Sequence, residues 1–335
     1  MFLELVLLGL LSTCTANTGV SEESEDQFKH WWHYCGIYGP EKWSTLRGKG
    51  LWKMCMDGKN QSPVDLQASR LIFDRTLDGL KFDGENELSG KIKNTGHHLQ
   101  FETDTNSNRK FRVFGGPLDY SYTLTTIRLH FGNTSQRGSE HLVNGKAFPG
   151  EVQLMFFNNL YEDYNTARSK PNGLAVISIF TQLGNTTNTE LDKLTSRSVL
   201  RELVYSDTFI PLSRMNVREL LPLTTDYITY QGSLTTPPCS ETVIWMILNK
   251  PIYIEPDKFS LGLRELKTYR KENPEPNPLK GTMMNNFRPP FGLGNRILRT
   301  NIFMQENQDE RCPVSKRVVV YKVNEGIMSP SNTRS

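Results

Sequence analysis

The sequence predicts a mainly antiparallel β protein, because short strand-like runs recur along it and helical patterns are few. Gly, Asn or Pro bounds each run, and no linker or internal repeat interrupts the series. Strands at this density are typical of an all-β domain. The predicted strands include LTTIRLHFG (124–132), EVQLMFF (151–157), GLAVISIF (173–180), TVIWMIL (242–248), KPIYI (250–254) and RVVVYKV (317–323).

One segment carries a helical pattern. Apolar residues follow Pro256 at a spacing of i, i+4 and i+7, as Phe259, Leu263 and Leu266. Such spacing places them on one face of a helix, and a proline suits the first turn. The segment after Pro256 is therefore predicted to be a helix that packs through this face.

The two ends of the chain differ from the region between them. Residues 1–16 contain an apolar core and end in small residues, as in a secretory signal peptide, although a buried N-terminal helix is the alternative. Residues 17–27 form an acidic, patternless leader that is predicted to be disordered. Residues 28–324 are predicted to form one domain, followed by a polar tail, 325–335. A secreted, extracellular protein is expected.

Composition excludes two classes of partner. The chain has 335 residues, with 37% hydrophobic and 22% charged residues, and its formal net charge is +3. No long basic run accompanies this charge, so nucleic acid is not indicated. No later segment approaches 18 apolar residues, so no membrane span is expected.

Cysteines and sequons agree with an extracellular location. Apart from Cys14 in the predicted signal peptide, the four cysteines Cys35, Cys55, Cys239 and Cys312 allow three pairings into two disulfides. Asn133 and Asn185 begin glycosylation sequons in turn-like contexts. N-glycosylation is expected at both.

Strand alternation predicts a surface that carries several polar side chains. On 126–131 the side chains of Arg128 and His130 share a face, and on 151–157 those of Glu151 and Gln153 share a face. A catalytic zinc needs three protein ligands and an open position. The chain has six histidines but no His-x-His or His-Glu-x-x-His motif, so three histidines would have to come from scattered elements.

Six motifs carry a resemblance to a known family. They occur in the order QSPVDLQ (61–67), NTGHH (94–98), GSEHLVNGKAFPGEVQL (138–154), PNGLAVISIF (171–180), GSLTTPPC (232–239) and NNFRP (285–289). Over about residues 31–323 the chain resembles the α-class carbonic anhydrases. The resemblance implies their fold, a large twisted, mostly antiparallel central sheet with peripheral helices.

The resemblance also implies roles for single residues. The three zinc-ligand positions of the family hold Arg128, His130 and Gln153, so two of the three histidines are missing. The other matched active-site positions are His97, the proton shuttle; Thr235 with its neighbour Thr236 and its carboxylate partner Glu140; and Glu151 and His141 around the ligands. Val176, Leu234 and Trp245 match the apolar pocket.

These matches imply a protein without zinc, without a cofactor and without catalytic residues. Arginine has no lone pair to offer a metal, and without zinc no hydroxide forms near pH 7. We expect Glu151 to pair with Arg128, because a buried guanidinium needs a partner. Arg128, His130 and Thr235 could alternatively form a small anion pocket. His97, with no metal to serve, is expected to be a plain, partly exposed histidine.

The cysteine matches and the family's partners complete the expectation. The resemblance implies a disulfide between Cys55 and Cys239, whereas Cys35 and Cys312 either pair or leave Cys312 for an intermolecular bond. It is strongest with the secreted, acatalytic relatives, which implies an extracellular binding module for a neurexin-like cell-surface protein. The alternatives are a weak or altered-metal hydratase or esterase, and an anion-binding protein.

Overall fold

The structure is a computed structural model that describes residues 32–46, 51–276 and 281–303. The predicted signal peptide, acidic leader and polar tail, the RVVVYKV run and Cys312 all lie outside these residues. Within them the chain is mainly β. Its strands are β1 Asp65–Leu66, β2 Leu71–Phe73, β3 Leu80–Gly84, β4 Glu87–Asn94, β5 Leu99–Thr103, β6 Phe111–Gly115, β7 Leu118–Phe131, β8 Leu142–Val143, β9 Gly150–Asn158, β10 Leu174–Leu183, β11 Phe209–Asn216, β12 Tyr227–Gly232, β13 Val243–Leu248, β14 Ile252–Ile254 and β15 Leu298–Thr300.

Thirteen of these strands form one sheet. Its main path runs β11-β4-β5-β7-β9-β10-β13-β12-β15-β2, with β14 beside β10 and the β3–β6 ladder beside β7. Most pairs are antiparallel, whereas β13 and β14 run parallel to β10, and β15 runs parallel to β2. A separate parallel pair joins β1 to β8. The predicted carbonic anhydrase fold, with its large, mostly antiparallel sheet, is confirmed.

Helices are short and lie outside the sheet. They are α1 Met54–Asp57, α2 Tyr164–Ala167, α3 Thr189–Thr195, α4 Arg197–Glu202 and α5 Val217–Leu220. Side-chain caps explain several of the starts: the Asn188 side chain, for example, accepts hydrogen bonds from the Glu190 and Leu191 amides before α3. Short 3-10 turns lie at Gly36–Tyr38, Trp43–Thr45 and Ala68–Arg70. No helix within the described ranges is long and apolar enough to cross a membrane.

The prediction of a helix after Pro256 that packs through its apolar face is confirmed, and the structure adds that the helix is not a regular α-helix. Lys258–Gly262 form a π-helix and a 3-10 turn follows at Leu263–Glu265. The predicted apolar residues Phe259, Leu263 and Leu266 are all buried. A segment this short takes its geometry from the packing of its apolar face rather than from helix propensity.

The central strands are buried on both faces. One face of β7, β9 and β10 packs into the larger core, with residues such as Ile127, Leu154 and Ile177. The opposite face carries the smaller apolar cluster, which includes Val176 and Trp245. Polar side chains on this second face are consequently buried in the middle of the sheet, and they form the candidate site.

Candidate functional site

The polar face predicted from strand alternation exists. β7 and β9 are antiparallel neighbours, and their register places Arg128 opposite Gln153 and His130 opposite Glu151. His130, Glu151 and Gln153 are buried, whereas Arg128 is half-buried. The structure therefore brings together the four side chains that the sequence placed on one surface.

His130 is held in a defined orientation. Its Nδ1 lies 2.6 Å from the Asn286 carbonyl oxygen, which can only accept a hydrogen bond, so Nδ1 carries the proton. Nε2 faces the Glu140 carboxylate, with 3.6 Å between Nε2 and Oε2. Within the described part of the chain, this buried Nε2 has no hydrogen-bond partner. In neutral His130 it is therefore an unshared lone pair.

Gln153 directs its amide nitrogen toward the two buried carboxylates. Nε2 donates to Oε2 of Glu140 at 2.8 Å and to Oε1 of Glu151 at 3.0 Å. Both acceptors are carboxylates, which assigns this end of the amide as NH₂ rather than oxygen. The side chain consequently presents donors, not a metal-binding oxygen, to this part of the site.

Glu151 gathers donors from three chain segments. Oε2 accepts from the Glu140 and His141 amides at 3.0 and 2.9 Å, and Oε1 accepts from Ser178 Oγ at 2.8 Å. His141 Nδ1 lies 2.9 Å from Oε1, and His141 Nε2 lies 2.7 Å from the Tyr230 hydroxyl. Burial opposes ionisation, but the charge and hydrogen bonds of His141 prevail and lower the pKa of Glu151 to about 2.

Arg128 does not pair with Glu151, so that prediction is wrong. Its Nε donates to Oε1 of Gln100 at 3.1 Å, and the Tyr164 hydroxyl lies beside its guanidinium. No carboxylate in the described ranges lies within 4.0 Å of its nitrogens. The physical reason is that His141, Gln153, Ser178 and two backbone amides already satisfy Glu151.

His97 is not the partly exposed histidine that was expected. Only 7% of it is exposed, its ring stacks on Trp32 at 3.8 Å, and its Nε2 lies 2.8 Å from the Trp32 carbonyl oxygen. Its neighbour His98 is also buried, with Nε2 2.8 Å from the Tyr34 hydroxyl. Burial, followed by the charges of Arg128, His130 and His97, holds the pKa of His98 well below its usual value.

The remaining matched positions surround this network. Thr235 and Thr236 are buried, and Val176, Leu234 and Trp245 belong to the smaller apolar cluster. Glu140 accepts from the Arg288 amide at 3.0 Å as well as from Gln153. In the described part of the chain no hydrogen bond joins Thr235 to its expected partner Glu140. The anion pocket suggested for Arg128, His130 and Thr235 stays a prediction.

The disulfide between Cys55 and Cys239 is confirmed. It lies beside the buried Arg288, whose guanidinium donates to the Cys55 carbonyl oxygen at 2.6 Å. Burial lowers the pKa of Arg288 to about 10, and Glu140 opposes this shift. Cys35 lies at the surface, while its suggested partner Cys312 falls outside the described residues. Both sequon asparagines, Asn133 and Asn185, are exposed.

The donor set at this place does not fit a catalytic zinc. Among the described residues no group of three His, Cys, Asp or Glu side chains could hold a metal ion. His130 Nε2 is one suitable nitrogen, but Gln153 offers an NH₂ group and Arg128 offers only N–H donors. Three ligands at about 2.0–2.1 Å are what a zinc of this kind needs.

Several contributors were missed by the sequence interpretation, among them Ser178, Tyr230 and Arg288. Gln100 accepts a hydrogen bond from Arg128, Tyr164 lies near the same guanidinium, and the Asn286 carbonyl orients His130. Alternation along LQFET (99–103) could have placed Gln100 on the same face as Arg128 across the β5–β7 pair. Tyr164 begins a four-residue helix capped by Asp163, which is too short to show a periodic pattern in the sequence. The Asn286 carbonyl belongs to the backbone, so no residue type indicates its role.

Comparison with known proteins agrees with the fold and the motifs. A family model described as eukaryotic-type carbonic anhydrase matches residues 38–302. A carbonic anhydrase-like protein 2 from Caenorhabditis elegans is 36% identical over 302 residues, which cover 88% of this chain and 87% of that relative. The match spans the whole sheet and the polar site within it. The chain therefore belongs to the eukaryotic-type carbonic anhydrase family.

Proposed function

We propose that this protein is an acatalytic, carbonic anhydrase-related secreted glycoprotein that acts as an extracellular binding module. One observation carries the proposal: Gln153 donates to both Glu140 and Glu151 from a position where the family places a zinc-binding histidine. The hydrogen-bonding groups of Gln153, Glu140 and Glu151 therefore pair with one another at this position. Arg128 and Gln153 are the degenerate ligand positions, and His130 is the retained one.

Electrostatics supports the loss of the metal. A guanidinium stays charged at any relevant pH. A unit charge about 4 Å from a divalent cation costs roughly 8 kcal/mol at an effective dielectric near 20. That cost is comparable with much of the roughly 10–16 kcal/mol that structural zinc sites gain. Without zinc, no bound water is acidified to supply a hydroxide nucleophile.

An extracellular location is supported by three features. The Cys55–Cys239 disulfide is of a kind that persists in oxidising compartments. Asn133 and Asn185 are exposed, as glycosylation requires. The apolar segment within residues 1–16 has the pattern of a secretory signal. The proposed partner is a cell-surface protein, neurexin-like by family resemblance only.

Metal content and carbon dioxide hydration, measured on the same mature protein, test the proposal. We expect less than about one zinc per ten chains after dialysis and no hydration above buffer. The matched control is the double variant Arg128→His/Gln153→His, which restores three histidines on one face with His130. We expect this variant to bind about one zinc per chain.

The opposite result is equally clear. If the wild-type protein keeps about one zinc per chain through dialysis and hydrates carbon dioxide, the acatalytic proposal is wrong and the hydratase alternative holds. The double variant guards against a trivial negative result, because zinc uptake by it shows that the preparation and the assay can detect a metal site in this fold.

A further inference from the structure

A groove of about 550 Å³ lies where the loop after β10 meets α4 and the segment that follows β14. The sequon residue Asn185 is one of the residues that line this groove, whereas Asn133, the other sequon residue, does not line it. An N-linked glycan on Asn185 would therefore begin at the groove wall. Pockets of about 300–1,000 Å³ hold small organic ligands, so one or two sugar rings fit in this space.

Apolar side chains form part of the lining. Leu200 is buried at the groove, whereas Leu261 is 59% exposed and Pro256 is exposed as well. Gly262 packs against Leu200, since a Cβ atom built on that glycine would lie 2.7 Å from Leu200 Cδ1. The ring faces and the acetyl methyl group of N-acetylglucosamine are apolar, so contact with Leu261 and Pro256 would remove apolar surface from water.

Polar side chains in the lining are available for hydrogen bonds to a ligand. Arg197, Asp257 and Glu265 line the groove at exposed positions. Within the described ranges, the side chains of these three residues make no hydrogen bond or ion pair. Lys258 and Glu255, in contrast, pair with each other at 2.6 Å between Nζ and Oε2. The first three residues therefore offer donors and acceptors to the hydroxyl and acetamido groups of a neutral sugar.

The loop that carries Asn185 is fixed to the groove wall on both sides of the asparagine. The Gly184 amide donates to the Ile254 carbonyl oxygen at 3.0 Å. Thr187 Oγ1 donates to Oε2 of Glu255 at 2.9 Å and accepts from the Glu255 amide at 3.0 Å. Because the loop is already ordered, a bound sugar would not have to order it, and less conformational entropy opposes binding.

We infer that this groove binds the first sugars of an N-linked glycan on Asn185. Their apolar faces lie against Leu261 and Pro256, and their hydroxyl and acetamido groups bond to the polar lining residues. A covalent link keeps the sugar at an effective concentration of about millimolar or more, so even a groove with weak affinity for a free sugar is filled. The inference rests on the proposed glycoprotein and adds a place in the fold for its sugar.

The rate at which peptide-N-glycosidase releases the glycan from native protein tests this contact. The protein is secreted from eukaryotic cells, and mass spectrometry follows the glycans on Asn185 and Asn133 separately in one sample. We expect release from Asn185 to be at least about tenfold slower than from Asn133, because the enzyme reaches the link only when the sugar leaves the groove. In denatured protein the two rates should agree within about twofold, since the groove no longer exists.

Two variants separate the groove from other surfaces near the sequon. Leu261→Asp removes an apolar wall at an exposed position, and it should raise native release from Asn185 about fivefold or more without changing release from Asn133. Tyr253→Ala is the matched control: its ring is 48% exposed beside the residue that precedes Asn185 but does not line the groove, so release should not change. Should Leu261→Asp unfold, Arg197→Ala at another exposed lining position replaces it, and release should again rise severalfold.

Equal release from both sites of the native protein overturns the inference, and so does a wild-type release rate in Leu261→Asp. Faster release in Tyr253→Ala would place the sugar on that ring instead of in the groove, which also overturns it. Mass spectrometry of the untreated protein separates this failure from a failure of the proposed function. A protein without glycan at either sequon contradicts the glycoprotein proposal and this inference with it. An Asn185 that is unglycosylated beside a glycosylated Asn133, or whose glycan is readily released, overturns this inference alone.

Discussion

A single buried carboxylate, Glu151, connects most of the polar side chains between β7, β9 and β10. It accepts hydrogen bonds from His141, Gln153 and Ser178 as well as from two backbone amides. Loss of one or both carboxylate oxygens would leave some of these buried donors without an acceptor, which is costly in the interior. The network thus stabilises the fold at this point whether or not a metal is ever bound there.

Replacing this carboxylate should cost more than replacing an outer one. We expect Glu151→Gln to lower the free energy of unfolding by about 3–5 kcal/mol, because it removes one partner of a buried charged pair. Urea unfolding followed by tryptophan fluorescence measures the change. The control is Glu102→Gln at a half-buried position, where less than about 1 kcal/mol is expected. Equal losses in both variants would contradict the central role of Glu151.

The depressed pKa of Glu151 also predicts a pH dependence. Its folded-state pKa is about 2 against an ordinary 4.5. The contribution of ionised Glu151 to the free energy of unfolding is therefore fully present above about pH 4.5 and is lost as the pH falls toward 2. In the wild-type protein, protonation of Glu151 accounts for at most roughly 3 kcal/mol of the decrease in the free energy of unfolding at acid pH. Unfolding curves between pH 6 and 3 should show a shallower pH slope in Glu151→Gln than in wild type.

At the scale of secondary-structure elements, strands β9 and β10 separate two different interiors. Leu154 and Ile177 face the larger apolar core, while Gln153 and Ser178 on the same strands face the polar network. Their antiparallel register places Ser178 directly opposite Gln153. Because side chains alternate along a strand, a slip of one residue would exchange the two environments, so both interiors specify the same register.

Truncation of a side chain in the larger core should show how much the packing of these strands contributes to the free energy of unfolding. Leu154→Ala removes a fully buried side chain and leaves a cavity, so we expect a loss of about 2–5 kcal/mol in the free energy of unfolding. Leu223→Ala makes the same chemical change at a residue that is 94% exposed, and it should cost less than about 0.5 kcal/mol. Chemical denaturation compares the two variants directly, and similar costs would show that β9 is not anchored as described.

At the scale of the whole molecule, the Cys55–Cys239 disulfide joins segments 184 residues apart. It connects the N-terminal aromatic cluster, which includes Trp32 and Trp43, to the loop that follows β12. Arg288 reaches the same place from the C-terminal part of the domain through the Cys55 carbonyl oxygen. Three distant parts of the chain are consequently held together at this point.

Removal of this bond should destabilise the protein without changing its fold. We expect Cys55→Ala/Cys239→Ala to lower the free energy of unfolding by about 2–5 kcal/mol, since a long loop in the unfolded chain is released. Differential scanning calorimetry in a Cys35→Ala background measures it. Reducing agent should lower the melting temperature of the background protein to that of the variant and leave the variant itself unchanged. A variant as stable as its background would contradict the prediction.

The sequence by itself determined the family, the sheet and the identity of the polar face. Because side chains on a strand have a period of two, alternation was enough to place Arg128 with His130 and Glu151 with Gln153, each pair on one face of its own strand. The Cys55–Cys239 bond came from resemblance alone and was correct. The alternation is local and the six motifs are contiguous, so both can be read along the chain, whereas the disulfide could be predicted only through the family resemblance.

Only the tertiary structure decided how those side chains pair. Arg128 turns to Gln100 and Tyr164 instead of Glu151, and His97 is buried against Trp32, although both were expected otherwise. The π-helix at Lys258–Gly262 likewise differs from the helix its apolar spacing suggested. The physical reason is the same in each case: the partner of a buried group is set by competition among all donors, acceptors and apolar surfaces within reach, and most of these come from distant segments.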